Sequence, residues 1–182
     1  SAYFHDIGKL VKPSFFIENI QFSDNPHDHL SPSMSTLVII SHVKEGLGMA
    51  MAHRLPRPVV EAIEQHHGTG LVSYFYHKAS AQQEFDFRDG ARPNCGPKPP
   101  AQEQFRYPGP KPRSGETAVL SLADAIEAAS RSMEKVSSGH VEDLVRDIID
   151  AKLRDGQLDS CNLTMSDLAA VRRAFVFSLM NM

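Results

Sequence analysis

The sequence of 182 residues has little of several features that mark particular classes of protein. It contains no tryptophan and two cysteines, Cys95 and Cys161. These cysteines have neither Cys-x-x-Cys spacing nor the density of a secreted disulfide scaffold, so we expect a reducing compartment. No run approaches the roughly 18 apolar residues of a transmembrane helix, and no signal peptide opens the chain. We therefore expect this chain to be soluble.

An excess of positive charge is also missing. Nineteen Lys and Arg stand against 22 Asp and Glu, which gives a formal net charge of -3. A general binder of duplex nucleic acid needs a basic surface, so we expect no such partner. Hydrophobic residues make up 41% and charged residues 23% of the chain, close to the average of globular proteins, which argues against disorder. The length favours one domain over residues 1–182.

Helical periodicity organises most of the chain. Apolar residues recur at three- and four-residue steps, and no segment shows the alternation of a β-strand. From Pro13 to Ser35, prolines and turn-forming residues predict a long loop with at most short helical turns. Residues 84–115 are rich in Pro and Gly and predict a loop or insertion. Besides a short helix ending near Lys9, the pattern predicts an all-α fold with helices over about 35–53, 56–67, 71–83, 116–135, 139–154 and 164–179.

Histidine is abundant, with nine residues, and several lie beside Asp or another His among apolar neighbours. Taken singly, each has an ordinary explanation, such as a hydrogen-bonded core histidine or a histidine pair at a helix end. Because four helical segments carry such residues, a shared metal site explains them together. The set favours a transition metal over Ca²⁺, and six ligands suit two ions bridged by a carboxylate. The candidate ligands are His5, Asp6, His42, His66, His67 and Asp124.

An ordered series of motifs gives the sequence a resemblance to a known family. The series is HDIGK at 5–9, SHVKEG at 41–46, EQHHGT at 64–69, FRYPGPKP at 105–112 and LADAIEAA at 122–129. It resembles the HD-superfamily phosphohydrolases. More narrowly, it is similar to the cytosolic HD domain of the seven-transmembrane HD proteins, the PgpH-type cyclic-di-AMP phosphodiesterases. The resemblance runs over nearly the whole chain except about 85–102.

The resemblance implies a helical HD fold around a bimetal centre that holds two divalent transition-metal ions, Mn or Fe above all. Asp6 would bridge the two ions. The family also has a histidine upstream of the HD pair, which would lie before the first residue of this sequence. The partners of Asp6 would be His5 and Asp124 on the first ion, and His42, His66 and His67 on the second.

The same motifs suggest catalytic and substrate-binding residues. Asp6 would act through the metals, and Lys9 would meet a phosphate or help the leaving oxygen, unless it is a solvated lysine at a helix end. Arg106, Tyr107 and Lys111 suit the wall of a nucleotide pocket, because they combine two cations with an aromatic ring. A rigid connector packed on the core is the equally good alternative for this segment.

Other cations and histidines stay outside the predicted site. Arg131 lies seven residues after Asp124, about two helical turns along the same face, and reaches either the pocket or the surface. The histidines without ligand spacing are expected at the surface, with two of them in the long loop that would border the site. They are His27, His29, His53, His77 and His140.

The function implied by the resemblance is hydrolysis of a cyclic dinucleotide, cyclic-di-AMP to the linear product pApA, by a water activated between two ions. The chain would be the soluble part of a membrane protein on the cytoplasmic side, with membrane contact only through segments outside this sequence. Alternatives within enzymes are a cyclic-di-GMP hydrolase, an RNase Y-like nuclease and a nucleotide phosphatase. The Gly-Tyr-Pro element of the HD-GYP hydrolases does not follow the paired histidines. A non-catalytic cyclic-dinucleotide sensor is the alternative from a different class.

Overall fold

The computed structural model describes residues 2–20, 24–88, 99–131, 133 and 137–181. These ranges contain no strand, only an isolated antiparallel bridge between Leu71 and Arg106, so the all-α prediction is confirmed. Among the same residues, no helix combines the length and the apolar character needed to cross a membrane. The helices are α1 (Pro32–Ala52), α2 (Arg57–Gln65), α3 (Ser73–Arg88), α4 (Gly115–Ser130), α5 (Ser138–Arg154) and α6 (Met165–Met180).

Local capping explains where two of the helices begin. α1 starts three residues earlier than the periodicity predicts, because Ser31 Oγ accepts a hydrogen bond from Met34 N at 3.3 Å. α6 starts with a reciprocal capping box in which Thr164 Oγ1 accepts from Asp167 N at 3.1 Å. Asp167 Oδ2 accepts from Thr164 N at 2.9 Å in return, so Asp takes the place of the usual Glu.

The segment before Pro13 differs from the predicted helix. It forms two short 3-10 turns, Ala2–Phe4 and Ile7–Val11, and the second turn packs closely on α1. Gly8 is responsible for this approach. A methyl group on Gly8 would overlap the His42 carbonyl oxygen and lie 2.5 Å from Gly46 N. The glycine therefore lets the turn carrying Asp6 lie directly against α1.

The predicted loop or insertion at 84–115 is shorter than the sequence suggested. α3 continues to Arg88, where Arg88 Nη2 donates to Glu84 Oε1 one turn earlier at 2.6 Å. A 3-10 turn covers Gln102–Phe105, and extended backbone leads from there into α4. The part of the insertion at 89–98, with Cys95, lies outside the described residues.

An apolar cluster joins α4, α5 and α6. Its members are buried, and those of α4 and of α5 recur at four-residue steps, as expected for one face of a helix. This cluster fixes α4 from one side and leaves its other side to the N-terminal turns and α2. The buried members are Ala118, Leu122, Ile126, Val141, Val145, Ile149, Leu158 and Leu168.

Two buried glutamines hold the turns around the end of α2. Gln157 Oε1 accepts from Thr69 N at 2.9 Å, and Gln157 Nε2 donates to Thr69 Oγ1 at 2.9 Å. Gln65 Oε1 accepts from Arg113 N at 3.0 Å and from Thr117 Oγ1 at 3.3 Å. These bonds link residues 48 to 88 positions apart in the chain. They tie the turn that follows His66 and His67 to α4 and to the end of α5.

Candidate metal centre

All six predicted ligands lie close together, in two groups that share one carboxylate. Asp6 follows the first 3-10 turn, and it belongs to both groups. Within each group, one ligand atom from every residue lies within 4.8 Å of the others. One group contains His5, Asp6 and Asp124, and the other contains Asp6, His42, His66 and His67.

The rings of His42 and His66 are oriented by backbone carbonyls. His42 Nδ1 donates to Ile39 O at 2.6 Å, and His66 Nδ1 donates to Ile63 O at 2.9 Å. A carbonyl only accepts, so each of these bonds holds a proton on Nδ1 and directs the Nε2 atom of the ring into the site. The two Nε2 atoms lie 3.3 Å apart, and both rings are at most 2% exposed.

Asp6 Oδ1 completes this arrangement. It lies 3.3 Å from His42 Nε2 and 3.5 Å from His66 Nε2. Within the described part of the chain, this buried oxygen receives no hydrogen bond. Two ring nitrogens and one carboxylate oxygen thus converge in a buried space, and these are atom types that bind metal cations. The residues therefore fit a metal ion.

The second group lies on the side of Asp6 nearer to α4. His5 Nδ1 donates to Ala2 O at 2.6 Å, so His5 Nε2 points toward Asp6 Oδ2 at 3.3 Å and toward Asp124 Oδ1 at 3.7 Å. The other oxygen of Asp124 lies 3.4 Å from His67 Nδ1. Asp124 therefore faces a ligand of each group, although only Asp6 is a member of both.

The charge states of these residues suit metal binding. Burial by itself would raise the pKa of Asp6, but contacts with His42, His5 and His66 hold it well below its usual range. Burial lowers the pKa of His67, and the neighbouring histidines lower it further, so this ring is neutral. Burial also acts to lower the pKa of His5, but hydrogen bonds to Asp124 and Asp6 outweigh it and raise the pKa to about 10. A metal ion that binds His5 must therefore displace a proton.

Lys9 lies at the same site, held by two carboxylates. Its Nζ is 2.7 Å from Asp6 Oδ2 and 3.0 Å from Glu18 Oε1, and it lies 5.2 Å from the centre of the Phe16 ring. The side chain is 24% exposed. Burial would lower its pKa, but the two carboxylates raise it, so Lys9 is a fixed cation beside the first ligand group.

Of the three predicted nucleotide contacts in the 105–112 segment, Tyr107 lies at the site. Its ring stacks on His67 with the ring centres 4.1 Å apart, and burial raises the pKa of its hydroxyl. Arg106 instead forms a bidentate ion pair with Asp155, with N···O distances of 2.8 and 2.9 Å. It also donates a hydrogen bond to Thr69 O at 2.9 Å. Lys111 Nζ lies 3.6 Å from Asp159. These contacts favour the connector alternative for Arg106 and Lys111.

The structure corrects the prediction for one histidine and adds a lysine that the sequence did not single out. His27 is buried rather than exposed, and its Nε2 lies 2.9 Å from Phe15 O, which anchors the long loop. Lys152 Nζ donates to Ser121 Oγ at 3.3 Å behind Asp124, and burial lowers its pKa. Only its place on the apolar face of α5 could have drawn attention to this lysine.

A cleft of about 650 Å³ opens beside the first ligand group. His5, Asp6 and Asp124 form one end of its lining. Arg131, which sequence spacing left undecided, lines the cleft rather than a remote surface. Further lining residues are Lys9, Glu18, Glu127 and the apolar side chains of Ile17, Leu120 and Ala128.

The comparisons with known proteins agree with this site. Residues 1–129 match the family model of the HD domain. The chain belongs to the HD domain family. It is 43% identical over 178 residues to the cyclic-di-AMP phosphodiesterase PgpH of Bacillus subtilis, covering 98% of this chain and 23% of that protein. Identity to the protein of the same name from Listeria monocytogenes is 33% over 179 residues, with the same coverage. The chain thus spans 23% of the length of these curated relatives.

Solved structures extend the match to three dimensions. The crystal structure of the L. monocytogenes phosphodiesterase PgpH HD domain in complex with cyclic-di-AMP is similar to this chain with a TM-score of 0.84. The two are 32% identical, and the match covers 98% of this chain and 77% of the other. The resemblance that the motifs indicated is therefore confirmed, and so is the fold it implied.

Proposed function

We propose that the chain is a metal-dependent phosphodiesterase that hydrolyses a cyclic dinucleotide, cyclic-di-AMP to linear pApA. The observation that carries this proposal is the pair of ligand groups joined through Asp6 at the end of a cleft. The names of two relatives and of one solved complex support the choice of cyclic-di-AMP. The activity belongs to the chain as a single HD domain over residues 1–182.

The ligand set suits two divalent transition-metal ions, and we propose Mn or Fe. The carboxylate oxygens of Asp6 and Asp124 and the ring nitrogens of His5, His42 and His66 give a mixed set of O and N donors. His67 completes the second group. When bound, such a pair of ions activates a water and stabilises the charge that develops on the phosphoryl oxygens.

The protein's own side chains have separate tasks in this reaction. The Nδ1–H groups of His42 and His66 stay on backbone carbonyls, so both rings keep their orientation throughout turnover. Tyr107 stacks on His67 and fixes that ring as well. Lys9 places a positive charge at the cleft, where it meets a phosphoryl oxygen or donates a proton to the leaving oxygen.

We also propose a location for this activity. The chain spans 23% of the B. subtilis and L. monocytogenes relatives, so the whole protein has room for further segments. Our proposal is that such segments attach the domain to the cytoplasmic face of a membrane. Fractionation of cells that produce the full protein would test it, with the domain accessible to protease only from the cytoplasmic side.

The hydrolysis is tested by following cyclic-di-AMP and cyclic-di-GMP side by side. With Mn²⁺ or Fe²⁺ we expect conversion of cyclic-di-AMP to pApA, faster than cleavage of cyclic-di-GMP. A chelator should stop the reaction, and added metal should restore it. A longer fragment that includes the chain upstream of residue 1 is the second arm, because the family places another histidine there. Binding of cyclic-di-AMP without cleavage by either fragment would support the sensor alternative and overturn the hydrolase.

A further inference from the structure

Two cations from distant parts of the chain meet on one carboxylate in the cleft. Lys9 Nζ lies 3.0 Å from Glu18 Oε1, and Arg131 Nη1 lies 3.7 Å from Glu18 Oε2. Glu18 belongs to the 3-10 turn Ile17–Asn19, whereas Arg131 follows the last residue of α4. Glu18 therefore fixes the positions of the two cations relative to each other.

The side chain of Arg131 is directed back toward the metal ligands. Arg131 Nε donates to Glu127 Oε1 at 2.7 Å, one turn toward the start of α4. Side chains on helices lean in this direction, so the guanidinium lies over the turn between Glu127 and Asp124. Arg131 and Asp124 accordingly line the same cleft, about two helical turns apart.

The ion pair with Glu127 is weak enough to be exchanged. The two side chains are 46% and 50% exposed, and exposed pairs at this helical spacing contribute little to stability. A guanidinium has five N–H donors in a fork that matches the oxygens of a phosphate. Arg131 can therefore take a phosphate while Glu18 continues to hold it in place.

The apolar part of the cleft suits part of a nucleotide. Ile17, Leu120 and Ala128 give that part of the cleft an apolar lining. The cleft volume of about 650 Å³ lies within the usual range for pockets that bind small molecules. A nucleoside can thus occupy the apolar part of the cleft, with one phosphate at the metal ligands and another at Arg131.

We propose that Arg131, positioned by Glu18, binds the phosphate of the cyclic dinucleotide that is not being cleaved. This inference rests on the proposed function and deepens it. Arg131 then favours substrates with two phosphates over simple phosphodiesters with one, because the second phosphate accepts hydrogen bonds from the guanidinium.

The test compares two substrates in the Arg131→Gln variant. For cyclic-di-AMP we expect KM to rise about tenfold or more with little change in kcat, since one charge-assisted contact to the bound substrate is lost. For bis(p-nitrophenyl) phosphate, which has a single phosphate, kcat/KM should change less than twofold. The matched control is Arg57→Gln, because Arg57 Nε donates to Glu61 Oε1 with the same spacing and the same 2.7 Å length far from the cleft. The control substitution should leave kcat and KM unchanged for both substrates.

A second variant is expected to act in the opposite direction. Glu127→Gln releases the guanidinium from its helical partner, so cyclic-di-AMP should bind as tightly as before or more tightly. The dissociation constant of cyclic-di-AMP, measured by calorimetry on chelator-treated protein, reports this without turnover. Two results would overturn the proposal. One is an equal loss of kcat/KM for both substrates in Arg131→Gln, and the other is a loss of affinity in Glu127→Gln as large as that in Arg131→Gln.

The calorimetric arm also separates the two proposals. If the chelator-treated wild type binds cyclic-di-AMP but the metal-loaded wild type does not cleave it, the proposed hydrolysis fails, while a tenfold weaker affinity in Arg131→Gln still supports the role of Arg131. An unchanged affinity in that variant would reject the role of Arg131 even if hydrolysis is found. If the wild type neither binds nor cleaves the dinucleotide, both proposals are overturned.

Discussion

The two sides of α4 are built from different kinds of residue. On the apolar side, Leu122 and Ile126 pack with Val141 and Val145 of α5, and all four are at most 2% exposed. On the polar side, Asp124 faces His5, which lies between the two N-terminal turns, and His67, which lies two residues after α2. One helix therefore joins a hydrophobic core to a cluster of potential metal ligands.

The two sides of α4 therefore serve different purposes, one for stability and the other for the candidate metal site. Burial of apolar surface is strong and has no preferred direction, so the apolar side can hold α4 in place. The polar side depends on directed hydrogen bonds, and it brings ring nitrogens and a carboxylate oxygen together in an arrangement that suits a bound cation. Substitutions on the apolar side should mainly lower stability, and those on the polar side should mainly abolish metal binding and activity.

The largest effect is expected from Asp6→Ala. Activity should fall on the order of a thousandfold or more, because even outer partners of a metal typically cost ten- to a hundredfold and Asp6 belongs to both groups. Metal analysis should show a loss at both positions. Asp28→Ala is the control, since its carboxylate is exposed and lies 3.9 Å from Lys78. Full metal content in Asp6→Ala would contradict the shared-carboxylate arrangement.

His42→Ala sharpens the same comparison. His42 belongs to one group only, so this variant should lose the ion of the second group and keep the other. Metal stoichiometry and the temperature of unfolding are measured together. A general loss of folding instead would support the simple core-histidine explanation.

The next largest effect is expected on the apolar side, from Leu122→Ala. Leu122 is fully buried, and such truncations lower the free energy of unfolding by about 2–5 kcal/mol. Urea unfolding measures this change, with Leu37→Ala as the control because Leu37 is 59% exposed. Metal content of the folded variant should stay normal. If Leu122→Ala has normal stability but has lost its metal, the two sides of α4 do not have separate roles.

Gly8→Ala should have an intermediate effect, at the contact between the turn carrying Asp6 and α1. The new methyl group would overlap the backbone of His42, and such overpacking typically costs about 1–3 kcal/mol. Gly48→Ala is the matched control in α1, where a methyl group meets no atom of the described residues within 4 Å. The control should be neutral or slightly stabilising, since alanine favours a helix more than glycine. Equal stability of both variants would show that the close approach is not needed.

The smallest effect is expected from the ion pair between Arg106 and Asp155. The hydrogen bond to Arg106 lowers the pKa of Asp155 below its ordinary value of 3.8. A carboxylate with a lowered pKa stabilises the fold above its unfolded pKa, and this contribution is lost as pH falls through the folded pKa. Because both side chains are about one-third exposed, we expect at most about 1 kcal/mol at pH 7.

Urea unfolding of wild type and Asp155→Asn over a pH series measures this contribution. The difference between them should be present at pH 7 and shrink below about pH 4. Asp147→Asn is the control on α5, because Asp147 is 69% exposed and pairs with Arg146 at 3.2 Å. A difference between wild type and Asp155→Asn that does not depend on pH would show that charge is not the cause.

Much of the fold could be predicted from the sequence because the signals that define a helix are local. Apolar spacing and capping residues repeat within three or four positions, so α1, α2, α5 and α6 lie close to their predicted bounds. The end of α3 was missed, because Phe85 and Phe87 are two positions apart and do not continue the three- and four-residue apolar period. The N-terminal 3-10 turns were missed because the contact of Gly8 with α1 is not local.

The sequence by itself determined which residue types are available for a metal site and on which segments they lie. Adjacent letters such as His5–Asp6 and His66–His67, and a carboxylate in an otherwise apolar helix, are visible without coordinates. The family resemblance implied that Asp6 is shared, and in the tertiary structure Asp6 belongs to both groups of candidate ligands. Only the tertiary structure decided that Arg131 reaches the cleft. It also directed Arg106 to Asp155, 49 residues further along the chain. The physical reason is that spacing fixes neighbours within one or two helical turns, whereas contacts between segments depend on how the core packs.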